Sequence, residues 1–574
     1  MVTAEFPLKQ VRKSVLLLFI LALGLLAGIA SDVARAAGFT VNSTADAVDA
    51  LPGDGICATS GGVCTLRAAI QEANATPGAD TVSLPIGTYT LSIAGNDDSA
   101  AAGDLDVTQN LTLEGAGAAL SIIDAAGLDR ALHVLPGVTL NLYRLKIQNG
   151  LANPGGGMLL DGSAWMREVS FSNNQAPETS TAGNGGAIFA ASASSSLTIL
   201  ISQFDNNSAY FGGGAISTTT GSTLSVTDST FTGNDSALGG GAIYPNGSAT
   251  TISSSTFDGN SSGVGGAVHS NSTAVSITNS TFVNNTAVNG GAVDARSGTI
   301  TINNSTFSAN SASGTGDSLT SQPGQGGVLQ VRNSILAGAS ANNCDAVTDL
   351  GSNLSWPDAN NCPGTQADPL LGPLADNGGW THTLALPLGS PALDAGDNAT
   401  CDAKDQRAYA RPQGPACDIG AFERLVAMVT PTPTGTAIPI PTATPGADTP
   451  QSGPTFTVNV AADANDGTCG TAHCSLREAI IAANAQFGGN AIHFDIPGVG
   501  PHAIQPIVAL PDVTDPLTID GLTQPGAGCA AWPPTLQIEL DGSNTSLANG
   551  LYFGFGAAGS TVRGLVVNRF YVGI

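Results

Sequence analysis

A histidine, an aspartate and an arginine stand at His269, Asp294 and Arg296, and a tyrosine stands at Tyr244. An imidazole beside a carboxylate can move a proton, an arginine can hold a sugar carboxylate, and a tyrosine ring offers a stacking face with a polar rim. Asn246 and Asn271, two residues after Tyr244 and His269, add amide donors and acceptors. Tyr244, His269 and Asp294 fall 25 residues apart. They meet only if the chain folds with that period.

It carries such a period. Phe-x-x-Asn occurs at Phe171, Phe204, Phe231, Phe257, Phe282 and Phe307, and Gly-Gly-Ala-(Ile/Val) falls between at Gly185, Gly213, Gly240, Gly265 and Gly290. Ahead of the phenylalanines lie alternating pairs, Leu197/Ile199, Leu224/Val226, Thr250/Ile252, Val275/Ile277 and Ile300/Ile302, with a looser Ala164/Met166 first. A two-residue step marks a strand with one buried face. A unit of about 25 residues cannot bury that face alone, whereas stacked copies pair every strand above and below. The pattern predicts an all-β fold, a parallel β-solenoid.

In that solenoid the phenylalanines fill the bore, and the asparagine three residues later suits a left-handed corner where its amide meets backbone or the next Asn. With Ile or Val of the glycine word inward, the residues one and three positions later face out. Tyr244, Asn246, His269, Asn271, Asp294 and Arg296 then form an outer-face patch expected to bind ligand. The competing explanation is a solvated wall that happens to hold charges, since no second carboxylate there completes a glycosidase pair. Asp205 and Asp258, two coils or ~10 Å apart, are read as solvated corners. Asp405-Gln-Arg407 with Asp418 and Glu423 is read as structural, its arginines pairing with carboxylates and backbone carbonyls to close an irregular end. The reading assigns no catalytic residue, metal or cofactor.

Charged residues make up only 11% of the chain, and the net charge is -26. Such a surface repels phosphate backbones and argues against nucleic-acid partners. Residues 1–37 read as an export signal: Lys9, Arg12 and Lys13, an apolar run from Val15 to Ala30, then Ala34-Arg-Ala36-Ala37. No spanning segment is expected in the mature chain. Cysteines fall in local pairs, Cys57/Cys64, Cys344/Cys362, Cys401/Cys417 and Cys469/Cys474, with Cys529 odd. They read as disulfides or structural thiols of an oxidising compartment. Zinc is the rival at Cys469 and Cys474, where only His473 stands nearby to complete a ligand set.

Residues 38–150 are expected to form an N-terminal cap and first coils. Within them Thr65 can cap a helix whose Leu66, Ala69, Ile70 and Ala73 share a face. Residues 151–335 hold the repeats, 336–425 close the first module, and 426–455, rich in Pro and Thr, form a linker. A second module follows from 456 to 574, opened by Cys474-Ser-Leu-Arg-Glu-Ala479, where Ser475 and Glu478 have capping-box spacing. It stops on a coil edge at Ile574, so the reading frame is expected to continue.

The Gly-Gly-Ala-Ile and Phe-x-x-Asn words resemble the polymorphic outer membrane protein repeats of bacterial adhesins and autotransporters. Cys474-Ser-Leu-Arg-Glu-Ala479 is similar to the CSLREA domain of secreted bacterial proteins, and Cys64-Thr-Leu-Arg-Ala-Ala69 to a degenerate copy. Asp368 to Gly379, Gly389 to Gly396, Asp405-Gln-Arg407, Arg411-Pro412 and Asp418 to Glu423 look like a choice-of-anchor Q segment, with Trp380 and Ala408 departing from its usual Pro and Gly. These resemblances imply a right-handed, pectin-lyase-like β-helix, with a second, incomplete β-helix module after the linker. They imply an exported chain, extracellular or at the cell surface or outer membrane, acting as an adhesin or coat toward glycans or a host or neighbouring cell. The alternatives are a polysaccharide lyase or glycoside hydrolase on the same wall, and a passive spacer.

Overall fold

A computed structural model of the chain describes residues 36–425 and 451–570 apart from 179–182, 339, 341, 359, 452–454, 465–467, 485, 487–489, 514–515, 530–533, 546–549, 554–556 and 558–559. Nearly all of the expected export signal and linker lie outside the described residues. The fold is a right-handed parallel β-solenoid. It divides into two units: the chain to Leu224 with Asn246–Ser248, and Ser225–Pro245 with the chain from Ala249 onward.

In the first unit one sheet runs in parallel register from Gly38–Thr40 through Asp80–Leu84, Leu111–Gly115, Thr139–Tyr143 and Ser163–Arg167 to Ser196–Leu200. A second runs from Gly87–Thr90 to Gln203–Asp205. The helix Leu66–Ala75 packs against Asp80–Leu84 and Leu105–Val107 as a lid, its first turn capped by Thr65, whose hydroxyl accepts from the Ala68 amide. In the second unit Ala249–Ser253, Val268–Thr278, Val293–Asn303, Gly327–Arg332 and Val347–Asp349 stack in the same way.

The alternating pairs ahead of each phenylalanine all point inward, and all six phenylalanines are fully buried. Phe231, Phe257, Phe282 and Phe307 stack at centroid separations of 4.6 to 4.8 Å, as Phe171 and Phe204 do at 5.4 Å. Burial of each ring is worth about 1.5–3 kcal/mol.

The asparagines depart from expectation. The left-handed residue is the one before them, Asn173, Asn206, Gly233, Gly259, Asn284 and Ala309. A second left-handed corner precedes each phenylalanine by three residues, from Glu168 to Asn304. Because the turn is made one residue early, the Phe-x-x-Asn amide swings inside. Asn260 donates to the Phe231 carbonyl at 3.0 Å and to Asn285 Oδ1 at 2.9 Å, while its own Oδ1 accepts from the amide and side chain of Asn234. Asn285 and Asn310 repeat the pattern, as do Asn174 and Asn207 in the first unit. The expected bonds to backbone and to the next Asn are therefore present, as buried ladders, and only the corner itself falls one residue earlier.

The four expected cysteine pairs are disulfides: Cys57–Cys64, Cys344–Cys362, Cys401–Cys417 and Cys469–Cys474. Residues 370–423 do more than close an end. Thr381 donates to the Ser254 carbonyl, Gln406 bonds Thr256 and Thr281, the Ala421 amide bonds Thr306, and Asp397 and Asp402 engage Asn333, Asn279 and Asn304. The segment runs back along the flank of the preceding coils.

From Thr455 onward a second set of parallel strands, Thr455–Val458, Asn490–Phe494, Leu517–Asp520 and Thr561–Arg563, encloses its own apolar core. Its helix Leu476–Asn484 realises the capping box: the Glu478 amide donates to Ser475 Oγ and the Ser475 amide to Glu478 Oε2.

Candidate functional site

Register brings His269 opposite Asp294 on adjacent coils, as the spacing predicts. Nδ1 of His269 lies 2.6 Å from Asp294 Oδ2, and Tyr244 stacks on the imidazole at 5.4 Å with planes 2° apart. The order of burial differs from expectation. Tyr244 is 6%, His269 5% and Asp294 0% exposed, so the three are covered rather than displayed. Gln322, in the next coil directly after Leu319–Ser321, donates to both Asp294 oxygens at 3.1 Å. Gly239 lies so close that a Cβ there would meet His269 Cδ2 at 2.7 Å. Burial pushes the Tyr244 phenol up, against its bond to Asn271 and the charge of Arg296.

The remaining patch residues sit less regularly. A register shift sets Asn271 against Ser297, which donates to it at 2.9 Å, so Arg296 falls out of the row and is exposed. Asn246 is half-buried, its amide donating to Thr218 Oγ1 at 3.4 Å. A sequence phase fixes which side of the strand a residue leaves from; it does not reveal the loops and bulges that later cover that side.

A charged cluster in the first unit was not picked out from the sequence. His133 and Asp106 are register partners on Leu132–Val134 and Leu105–Val107. Nδ1 of His133 lies 3.2 Å from Asp106 and Nε2 3.1 Å from Asp161. The bond to Asp106, then that to Asp161, holds the imidazolium above the ordinary histidine range against the opposing pull of burial. Burial likewise pushes Asp104 up to about 6, although Arg130 pairs with it at 3.0 Å. Asp98, Asp106 and His133 bring one ligand-type atom each within 4.8 Å. Both imidazole nitrogens are already committed to carboxylates, however, and the arrangement reads as an ion-pair network. The signal available in sequence was Asp106 and His133, 27 residues apart, each one step out of phase with buried neighbours.

The arginines of the two Cys-x-Leu-Arg words have equivalent jobs. Arg67, fully buried, pairs with Asp46 at 2.6 Å and donates to the carbonyls of Ala100, Gly103 and Asp104. Arg477 pairs with Asp463 at 2.8 Å and donates to the carbonyls of Val508 and Ala509. Each guanidinium nails a loop to the lid helix. Burial pushes Asp46 up, but its bonds to Arg67 and to the Ser92 and Ile93 amides prevail and lower it.

The second structural cluster lies where the sequence put it. Arg407 pairs with Asp405 at 2.7 Å, donates to the Glu423 carbonyl and stacks over Phe422 at 3.6 Å. Arg411 donates to the Asp418 and Gly420 carbonyls, and Asp258 accepts from Asn284 at 2.9 Å.

Residues 153–343 match the family described as the right handed beta helix region. No curated protein matches the chain. Among solved structures, the PL6 family alginate lyase AlyGC is similar at 13% identity over 88% of this chain and 74% of that one, with a TM-score of 0.28. A likeness that loose bears on neither activity nor substrate.

Proposed function

We propose that this chain is an exported bacterial surface protein whose β-helix wall serves adhesion or packing into a surface coat, without catalysis. The observation that carries the reading is the condition of the Tyr244–His269–Asp294 stack. The pair best suited to proton transfer on the repeat wall is covered, and its carboxylate is occupied by Gln322. Burial with satisfied partners is what a stabilising pair looks like; a reacting pair must reach substrate. Four disulfides favour an oxidising exterior, and buried Asn and Phe ladders give a rigid stem for display.

The purified chain should hold cells or polymers on a coated surface while releasing no product from pectin, alginate or neutral glycans, followed by ultraviolet absorbance and reducing ends. Release of fragments that stops on Asp294→Asn, with an unchanged melting curve, would replace this reading with a polysaccharide lyase or hydrolase.

A further inference from the structure

The outward strand steps before the later phenylalanines carry mostly hydroxyls, and one stretch of the first unit breaks that pattern. Strands Thr139–Tyr143 and Ser163–Arg167 pair with Leu140 opposite Ala164 and Leu142 opposite Met166, and those four are buried. Tyr143 and Trp165 alternate with them and so face outward. Both are half-buried, with ring centroids 5.1 Å apart and planes tilted by 46°. At the equivalent steps before later phenylalanines stand Thr251, Ser276 and Thr301, and Ser253, Thr278 and Asn303. A pair of large aromatic rings at these positions is not something the repeat requires.

The surroundings are polar. Asn141 and Thr198 flank Trp165 on the neighbouring strands, and Asn141 donates to Thr112 at 3.4 Å. Arg144 pairs with Glu114 at 2.5 Å, and Arg167 with Glu168 at 3.0 Å. Each cation beside the rings thus has its own carboxylate, so no net positive field is left to draw an anion. The chain as a whole, at -26, repels polyanions.

We propose that this face binds a neutral polysaccharide, with pyranose rings stacked on Trp165 and Tyr143. Aromatic rings with one apolar face and one wet rim suit the C–H face of a sugar. Asn141, Arg167 and Glu168 supply planar donors and acceptors for its hydroxyls. An open sheet with strands ~4.8 Å apart favours an extended polymer over a compact ligand. The assignment names a ligand for the adhesive reading above and rests on it.

Affinity electrophoresis of the full chain through gels containing hydroxyethyl cellulose, galactomannan or β-glucan tests it, with polygalacturonate and alginate as acidic arms. At least one neutral polymer should retard the chain, and Trp165→Ala and Tyr143→Ala should each weaken retardation about tenfold, while Trp380→Ala leaves it unchanged. If Trp165→Ala fails to fold, Thr198→Arg, which crowds the rings from a half-exposed position, takes its place. Retardation by a neutral polymer that survives these variants overturns the site but leaves an adhesive wall. Retardation by acidic polymers alone, lost in salt, overturns the ligand class. Retardation by none overturns the proposal while a coat role stands.

Discussion

Replacing Asn260 by alanine is the sharpest test of the ladder. Asn260 is fully buried and makes four hydrogen bonds through its side chain: to the Phe231 carbonyl, to Asn285 Oδ1, and from the amide and side chain of Asn234. Alanine removes all four and leaves a small cavity. Two buried backbone groups, the Asn234 N–H and the Phe231 carbonyl, lose this partner. At about 1–3 kcal/mol for each such group, the expected loss is about 3–5 kcal/mol. Thr251→Ala, on an exposed outward position, should stay within about 0.5 kcal/mol. Urea unfolding followed by circular dichroism gives the totals, and amide exchange gives the place. Protection should fall in the coils of Asn234 and Asn285, because stacked repeats couple chiefly to neighbours. Asn260→Asp keeps the acceptor but buries a charge, so its penalty should shrink as pH falls and the carboxyl protonates. A loss below 1 kcal/mol for Asn260→Ala, or exchange spread evenly over the chain, would refute the reasoning.

Three further outcomes are expected. Arg67→Leu strands the buried Asp46 carboxylate and frees the loop holding Ala100 and Gly103; it should cost about 3–5 kcal/mol and open that loop to limited proteolysis. His133, raised by Asp106, and Asp104, raised by burial to about 6, bind more protons folded than unfolded. Their contribution is therefore full at low pH and lost as pH rises through their folded values. The first unit should melt lower at pH 8 than at pH 5, and His133→Gln should flatten the upper part of that slope. Gly266→Ala would place a Cβ 2.0 Å from the Gly291 carbonyl oxygen; it should destabilise by about 1–3 kcal/mol, read from a thermal melt.

The inside of the solenoid was legible because its chemistry repeats in phase. Phe171 to Phe307, the Leu/Ile pairs and the Ser475–Glu478 cap recur at fixed offsets, and period plus apolarity determines which side faces in. Local cysteine spacing carried the disulfides for the same reason, since short separations leave few partners. Covering contacts were not legible. Gln322 closes Asp294 from an irregular connection, and Gln406 reaches Thr281 from 125 residues away. No periodicity links such residues. The asparagine was misplaced by one step because Asn also tolerates the left-handed region, and only the neighbouring Gly233 and Gly259 betray where the turn is made. Arg67 and Arg477 belong to a legible motif, but their carbonyl acceptors lie in loops with no signature of their own.

The returning segment at 370–423 has a mechanical consequence. A bare stack of coils pulled from its C-terminal end can unravel one turn at a time, each turn yielding at its own modest force. Here Asn279, Asn304 and Asn333, together with Thr256, Thr281 and Thr306, are all stitched to the one returning segment. Tension must shear these stitches together before the coils beneath can peel. Pulled from that end, these coils should give a single high rupture step in place of a gradual lengthening, the behaviour of a bolt rather than a spring.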